Sequence, residues 1–411
     1  MDRKKSISRR NVLKLSSAAM GAWLGRDLAG QTDQGSPGPI REAAERVGRL
    51  PRRKLGYSNR EVSILIGAGD MDAAVAEAAI LCGINYWHKA NRWMRTRTPD
   101  SILKNREAHY CQVTVDRVGG SHYTGHFNED EHVAYVKTAL EKTGLRYFDD
   151  MQLHYGYHSA AELKKDRAFV RAFEKLKRAG LVRHLCLSQH GYAGNHQVPG
   201  GESAARVLTA VVQDGIFEHA QFIYSYGAEP ELDNFMKLAR RKGFGTIAMK
   251  TARGIGRMTG DPDFMKKIPE DTNPYNALVR WLTTATSLDA VVIRTRTLDE
   301  FAQTCSGAGR KLRPRDKRTL EMLVAAADRS TCRLCTLCQS HCPRQVPIAE
   351  IFRFERYALD DQEVRKARAL YSELPLQANA CDNCGACLKH CPQHLDIPDK
   401  LARTHNLLNL V

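Results

Sequence analysis

The sequence has no hydrophobic run long enough to cross a membrane, and it has few cysteines outside its last 80 residues. None of its 411 residues lies in an uninterrupted apolar stretch of the about 18–20 residues that a membrane-spanning helix requires. Only four of the 12 cysteines are scattered along the chain, and the other eight are clustered near its end. A hydrophobic fraction of 43% with 26% charged residues excludes a largely disordered chain. The composition therefore indicates a globular protein of two or three domains.

The chain has fewer acidic than basic residues, and much of the excess positive charge lies near the N-terminus. The chain has 62 Lys and Arg against 46 Asp and Glu, a formal net charge of +16. Such a charge can indicate nucleic-acid binding. However, residues 1–60 carry 14 of the basic and 5 of the acidic residues, so they supply +9 of the total. We find no basic stripe with interleaved aromatic residues in the rest of the chain, and we therefore expect no nucleic-acid partner.

The basic N-terminus resembles an export signal. Residues 8–14, S-R-R-N-V-L-K, match the twin-arginine motif, and a modest apolar stretch follows over residues 15–24. A basic amphipathic helix is the alternative. The resemblance implies a twin-arginine signal over residues 1–30, a linker over 31–52 and a periplasmic location. It also implies that the protein is exported already folded, commonly with a cofactor in place.

From about residue 55, short β-branched runs alternate with longer amphipathic ones. The strand candidates begin at Val62, Asn85, Tyr110, Phe148, Val182, Ala220, Gly245 and Ala290. Eight strand–helix repeats over this length predict a (β/α)8 TIM barrel, whose active site lies at the C-terminal ends of the strands. Periodicity alone leaves a doubly wound open sheet as an alternative.

Several short motifs within this region resemble the aldo-keto reductase family. In chain order they are R-K-L-G at 53–56, E-V-S at 61–63, G-I-N-Y at 83–86, Q-L-H at 152–154, G-L-V-R at 180–183, Q-F-I-Y at 221–224 and A-M-K at 248–250. The resemblance implies a barrel domain over 53–312 and carbonyl reduction with a nicotinamide cofactor. In that family a Tyr donates the proton, assisted by Lys and Asp, and a His orients the carbonyl.

This chain departs from the catalytic pattern of the family. The positions of the family's catalytic Asp, Tyr and Lys correspond in this chain to His88, Trp93 and, within one position, Val115. Only the His is retained, as His154. Trp has no hydroxyl proton to donate and Val cannot lower a pKa, so the usual proton relay is absent. We expect His154 and His88 at strand ends facing the barrel mouth, as the catalytic candidates.

The resemblance also implies residues for NADP(H). Ser188 and Gln189 stand where the family contacts the nicotinamide amide, Gln221 matches a third amide contact, and Tyr224 matches its stacking aromatic residue. Arg296 could pair with a phosphate, because Arg makes bidentate contacts with phosphates.

The C-terminal cysteines form two copies of the pattern C-x2-C-x2-C-x3-C-P. The first comprises Cys332, Cys335, Cys338 and Cys342, and the second, 49 residues later, comprises Cys381, Cys384, Cys387 and Cys391. This spacing is typical of two-cluster ferredoxins, in which the fourth Cys binds the other cluster. We therefore predict one [4Fe–4S] cluster on Cys332, Cys335, Cys338 and Cys391, and another on Cys381, Cys384, Cys387 and Cys342. Zinc and disulfides are the alternatives.

The residues between the two patterns are helical in character. They favour a small α-helical ferredoxin-like domain over 313–411. The whole arrangement resembles the aldo-keto reductase subgroup with a C-terminal ferredoxin domain. It predicts an exported iron–sulfur oxidoreductase with a redox partner and a small-molecule substrate. The alternative is an electron-transfer protein whose barrel is catalytically inactive.

Overall fold

The described part of the chain begins after the predicted export signal. The computed structural model describes residues 38–120, 123–192, 198, 200–228, 230–252, 255–328, 331–332, 334, 336–360, 363–391 and 393–409. The signal over residues 1–30 and the ligand Cys335 lie outside the described residues.

Eight parallel strands close into a barrel, which confirms the predicted TIM barrel. After a hairpin of Arg52–Lys54 (β1) and Glu61–Ser63 (β2), the barrel strands are Leu65–Ala68 (β3), Tyr86–His88 (β4), Tyr110–Val115 (β5), Phe148–Leu153 (β6), Val182–Gln189 (β7), His219–Ile223 (β8), Gly245–Met249 (β9) and Ala290–Val292 (β10). Strand β10 pairs with β3 through Val291 and Leu65, and with β9 through Val291 and Ala248. This closure excludes the open sheet that periodicity left as an alternative.

The α-helices of the described residues comprise those that surround the strands and, after them, those of the C-terminal region. They are Pro39–Val47 (α1), Ala73–Leu81 (α2), Asp100–Lys104 (α3), Glu129–Thr143 (α4), Ala160–Lys165 (α5), Ala168–Arg178 (α6), Ala204–Asp214 (α7), Pro230–Lys242 (α8), Ile255–Thr259 (α9), Pro262–Met265 (α10), Pro274–Thr284 (α11), Leu298–Cys305 (α12), Pro314–Asp328 (α13), Ile348–Leu359 (α14), Val364–Ser372 (α15) and Ile397–Leu408 (α16). Helices α2 and α6 end next to glycines in the left-handed region, Gly83 with a φ of 90° and Gly180 with a φ of 73°.

Part of the expected linker is a packed helix. Helix α1 begins at Pro39, a position where the missing amide hydrogen costs no helical hydrogen bond. It buries Ala43, Ala44 and Val47 against the helix layer of the barrel. The segment 31–52 therefore contains a structural element of the barrel, since this short amphipathic run has an apolar face to bury.

An ion pair fills the base of the barrel. Arg60, in the β1–β2 hairpin, enters the barrel, where its Nη1 donates to both carboxylate oxygens of Asp150 at 2.7 and 2.9 Å. Burial alone would raise the pKa of Asp150, but the guanidinium of Arg60 lowers it below the ordinary value. Asp150 thus stays ionised in the barrel core.

The C-terminal region is helical, as predicted. Helix α13 packs against α9 and α11 of the barrel layer, and α14, α15 and α16 pack against one another. These last helices share a hydrophobic core with Tyr123, Tyr155 and Tyr192, which lie in loops of the barrel. Within the residues that the structure describes, no helix combines the length and the apolar character needed to span a membrane.

Asp150→Asn should destabilise the fold by about 3–5 kcal/mol, because the buried guanidinium of Arg60 loses its closest counterion and keeps only the Glu218 carboxylate, 4.0 Å away. Urea unfolding of the full chain measures this loss. Asp100→Asn, in the exposed pair with Arg97, is the control and should cost less than about 1 kcal/mol. Equal stability of the two variants would contradict the role given to the buried pair.

Candidate functional site

The two cysteine loops have left-handed residues at equivalent positions. Each loop has three residues at left-handed φ angles, and the positions repeat at the 49-residue interval. These residues are Leu334, Thr336 and Gln345 in the first loop, and Asn383, Gly385 and His394 in the second. This conformation costs each of the five non-glycine residues about 1–3 kcal/mol. Such a conformation persists where the surroundings determine it, and here it turns the chain between cysteines at Leu334, Thr336, Asn383 and Gly385 and after the last cysteine at Gln345 and His394.

The structure brings together the thiols of the second predicted set, including the residue that crosses over. Burial, together with the nearby thiols of Cys381, Cys342 and Cys384, raises the pKa of the Cys387 thiol to about 11. Cys342 belongs to the first loop in sequence, but its thiol lies near Cys387 of the second loop.

The first predicted set is buried in the described residues. Cys332, Cys338 and Cys391 belong to the C-terminal hydrophobic core. The backbone amide of Leu334 donates to the Cys332 sulfur at 3.3 Å, and that of Leu395 donates to the Cys391 sulfur at 3.5 Å. Amide donors of this kind stabilise cluster-bound thiolates. The burial of these sulfurs and their amide donors fit [4Fe–4S] ligands.

His154 is held from both sides at the barrel mouth. It follows β6 directly, its Nδ1 contacts the Asp116 carboxylate, and its Nε2 lies 3.1 Å from the Lys89 amine. An ammonium can only donate, so Nε2 accepts and Nδ1 carries the hydrogen that Asp116 accepts. Burial and the charge of Lys89 lower the pKa of His154 to about 4. The imidazole is therefore neutral at neutral pH.

Lys89 is the acidic member of this arrangement. Burial and the nearby Arg92 lower the pKa of the Lys89 amine to about 8. The residue has a left-handed φ of 54° directly after β4, which directs the chain across the barrel end. An amine with such a pKa donates or accepts a proton readily near neutral pH. Lys89, His154 and Asp116 thus form a continuous hydrogen-bonded row.

His88 faces the barrel interior rather than this row. Its Nδ1 lies 2.7 Å from Gln112 Oε1, and Gln112 Nε2 donates to Tyr86 Oη at 3.0 Å. Tyr86 Oη in turn lies 3.2 Å from His219 Nε2, beside Asp150. Burial and then Lys89 lower the pKa of His88 well below its ordinary value, so His88 is neutral.

Three potential metal ligands meet inside the barrel: Asp150, Cys186 and His219. The guanidinium of Arg60 already engages both oxygens of Asp150. Its positive charge occupies the place that a cation would need, so this group stabilises the core rather than binding a metal.

The positions that correspond to the usual proton relay lie in the wall of the barrel. Trp93 is buried against Trp87, with ring centroids 6.0 Å apart, and Val115 is a buried residue of β5. The charged groups stand one residue beyond the ends of strands β4 and β5, at Lys89 and Asp116. Sequence reasoning missed both residues, although residues that directly follow barrel strands point toward the mouth.

The residues expected to contact a nicotinamide have partners within the protein. Ser188 Oγ accepts from the Tyr155 amide at 3.0 Å, and Gln189 Nε2 donates to the Tyr157 carbonyl at 3.0 Å. Gln221 Nε2 lies 3.5 Å from Gln112 Oε1 in the barrel interior.

The expected stacking and phosphate residues also lie elsewhere. The Tyr224 ring stacks on Trp281 at 5.5 Å, and its hydroxyl donates to Asp233 of α8 at 2.8 Å. Tyr224 therefore lies in the helix layer. Arg296 is exposed at the start of α12, where its amide donates to Glu300 at 2.9 Å. In this arrangement the expected residues do not fit a nicotinamide cofactor.

Helices α14 and α15 lie over the C-terminal end of the barrel. Arg353 Nη1 donates to the Gly191 carbonyl after β7 at 3.1 Å, and Lys366 Nζ donates to Tyr155 Oη after β6 at 3.4 Å. Tyr155 packs on His154, with ring centroids 4.1 Å apart. The C-terminal helices therefore contact the residue that adjoins His154.

A family model described as a 4Fe-4S dicluster domain, Fer4_9, matches residues 326–395. The match includes both cysteine patterns. The chain is thus a TIM barrel followed by a 4Fe–4S dicluster domain. No curated protein matches the sequence closely enough to count as a relative.

Solved structures similar to this chain include aldo-keto reductases. The holo form of AKR11C1 from Bacillus halodurans is 16% identical, with a TM-score of 0.49 over 67% of this chain and 96% of that one. A putative aldo-keto reductase from Pseudomonas aeruginosa is also 16% identical, with a TM-score of 0.46 over 65% and 98% of the two chains. The barrel itself is defined by the strand pairing described above.

Lys89→Met should raise the pKa of His154 from about 4 toward its ordinary 6.5, because the imidazolium loses a neighbouring positive charge. Asp116→Asn should lower it further, because the carboxylate supports the imidazolium. Histidine-labelled protein followed by NMR during a pH titration measures both shifts, with His154→Gln to assign the signal. A titration left unchanged by Lys89→Met would show that the two side chains do not interact.

Proposed function

We propose that this protein is an exported iron–sulfur oxidoreductase of the aldo-keto reductase type with two [4Fe–4S] clusters. The observation that carries the proposal is the contact of Lys366, in the dicluster domain, with Tyr155, which adjoins His154 at the barrel mouth. Redox groups in the dicluster domain and acid–base groups in the barrel would then serve one substrate.

The clusters, when bound, would supply or accept single electrons. The proposed ligands are two sets of four thiols that include the crossing residues Cys342 and Cys391. The set with Cys342 is supported by its proximity to Cys387, and the repeated backbone of the two loops supports equivalent sites. Cys335, the remaining ligand of the first set, is proposed from the sequence pattern alone.

The barrel residues would handle the proton. Lys89 holds a proton on Nζ with a pKa of about 8, next to the accepting Nε2 of His154. Asp116 keeps the imidazole in one tautomer and orientation. Lys89 is therefore the proposed general acid or base, and His154 positions it.

Hydride transfer from NADP(H) is not part of this proposal. Tyr224, which the family resemblance assigns to stacking on a nicotinamide, lies against Trp281 in the helix layer. Arg294, which follows β10 closely, pairs with Asp70 at 3.2 Å.

The second candidate function is electron transfer by the dicluster domain, with the barrel as an inactive scaffold. The burial of Trp93 and Val115 at the positions of the family's Tyr and Lys favours this alternative. It requires no substrate at the mouth, whereas the first candidate requires one.

The proposed location and partners follow from the N-terminal signal and from the clusters. A twin-arginine signal would deliver the folded, cluster-loaded protein to the periplasm. A redox protein or a small electron carrier would exchange electrons with the clusters there. We propose neither a nucleic-acid partner nor an integral membrane segment.

Protein purified anaerobically should contain about eight iron atoms per chain, four per cluster. Cys342→Ser should remove about half of this iron, and the remaining EPR signal of the reduced protein should be that of the other cluster. The matched control is Cys82→Ala, which changes a buried cysteine outside the two loops and should retain all of the iron.

Two or fewer iron atoms in the unmodified chain would overturn the proposal. The same samples also separate the two candidate functions. Mass spectrometry of an acid extract should detect a bound organic molecule other than a nicotinamide. Full iron content together with an empty barrel would establish the electron-transfer alternative instead.

A further inference from the structure

A chain of buried hydrogen bonds leads from the Arg60–Asp150 pair toward the mouth of the barrel, and each group in it is a defined donor or acceptor. The guanidinium of Arg60 only donates, and its Nη2 lies 3.5 Å from His219 Nδ1, so this nitrogen accepts. Burial lowers the pKa of His219 to about 4. The ring is therefore neutral at neutral pH and carries its one hydrogen on Nε2, which lies 3.2 Å from Tyr86 Oη. The Tyr86 oxygen thus accepts from His219.

The hydroxyl of Tyr86 fixes the orientation of the Gln112 amide. Burial raises the pKa of Tyr86 well above its ordinary value, so the hydroxyl keeps its hydrogen, and it donates this hydrogen to the Asp150 carboxylate. Gln112, 3.0 Å from the same oxygen, must therefore present its amide nitrogen, Nε2. Its carbonyl oxygen, Oε1, then lies 2.7 Å from His88 Nδ1. Because an acceptor faces this nitrogen, Nδ1 carries the hydrogen of the His88 ring.

The second ring nitrogen of His88 is left as an acceptor at the barrel mouth. His88 is the last residue of β4, and 8% of its surface is exposed. In the described part of the chain, Nε2 has no hydrogen-bond partner, yet it does not belong to the polar atoms that are buried without one. It therefore reaches the solvent. Burial and then the charge of Lys89 lower the pKa of His88 well below its ordinary value, so Nε2 stays unprotonated at neutral pH.

The charges around His88 indicate which donor suits this acceptor. Lys89 and Arg92 both act on the ring and lower its pKa. A cationic donor such as an ammonium group would be repelled by the same charges, because all of them are positive. A hydroxyl group is a neutral donor and avoids this repulsion. Nε2 therefore favours a hydroxyl group over an amine that is protonated at neutral pH.

We propose that His88 Nε2 binds the substrate by accepting a hydrogen bond from one of its hydroxyl groups. The inference deepens the proposed function, on which it rests, because it names a group of the substrate at the same mouth. Lys89, the next residue in the chain, would donate a proton to a carbonyl oxygen of the same molecule. A donor and an acceptor side by side select a hydroxycarbonyl compound. Gln112 and Tyr86 are positioning residues, because they act through His88.

The first test locates the hydrogen of the His88 ring. Two-bond proton–nitrogen NMR correlations of the oxidised, cluster-loaded chain, labelled in histidine, distinguish a protonated from a bare ring nitrogen, and His88→Gln assigns the signal. We expect the hydrogen on Nδ1, and a hydrogen on Nε2 would overturn the inference. Tyr86→Phe removes the oxygen that orients the Gln112 amide and should allow both tautomers. An unchanged tautomer in this variant would overturn the positioning role of Tyr86.

The second test offers matched probes in which a methyl group replaces the hydroxyl hydrogen. The pairs are hydroxyacetone with methoxyacetone, and ethylene glycol with dimethoxyethane. We expect at least one hydroxyl probe to shift the His88 Nε2 resonance in a saturable way, and both ethers to leave it unchanged. A shift by neither hydroxyl probe, or equal shifts by a probe and its ether, would overturn the inference.

Three variants separate the acceptor from the fold, with binding measured by saturation transfer to the hydroxyl probe. His88→Leu should weaken binding by about tenfold, the effect of one hydrogen bond. His88→Gln offers a carbonyl oxygen as acceptor and should retain most of the binding. His184→Gln is the control, because His184 lies near the start of β7, where its Nδ1 is 2.7 Å from Glu218, and it should bind like the unmodified chain. Unchanged binding in His88→Leu would overturn the inference.

Iron content and reduction by dithionite, measured on the same samples, separate this inference from the proposed function. Full cluster loading in a chain that does not distinguish hydroxyl from ether would overturn this inference alone. Hydroxyl binding that depends on His88 in a chain without iron would overturn the proposed cluster function and leave the hydroxyl site intact.

Discussion

The packing of α14 and α15 against the barrel mouth is the constraint on which the site depends. The hydrogen bond from buried Arg353 to the Gly191 carbonyl and that from Lys366 to Tyr155 join regions that are far apart in the chain. Without these contacts, the dicluster domain would not lie beside Tyr155 and His154. The fold therefore makes one site from two domains.

The charge distribution at the mouth is the basis on which we propose acid–base chemistry for a changed set of residues. The residues at the usual Tyr and Lys positions are Trp93 and Val115, both buried in apolar surroundings. Their replacement by Lys89 and Asp116, on either side of His154, moves the acidic group from a hydroxyl to an amine. Burial and neighbouring cations, rather than an adjacent Asp and Lys, then set the pKa of that group.

Much of the architecture could be predicted from local patterns, whereas the site required tertiary information. Strand–helix alternation and the cysteine spacing are local, so they predicted the barrel and the 4Fe–4S dicluster domain. Lys366 and Tyr155 are 211 residues apart, and their contact follows from how the two domains pack. The resemblance to the family predicted that the Tyr224 ring stacks on a nicotinamide. In this chain the ring lies against Trp281 in the helix layer.

The central claim is that barrel and dicluster domain share the mouth, and a short amine-reactive cross-linker tests it directly. Lys250 and Lys366 both lie within 5 Å of the Tyr357 ring centroid, so the account predicts a cross-link between these two lysines in the native, cluster-loaded chain. Mass spectrometry of the digested monomer identifies it. If Lys366 forms links only to lysines of its own domain, the two domains do not share a site and the account is contradicted.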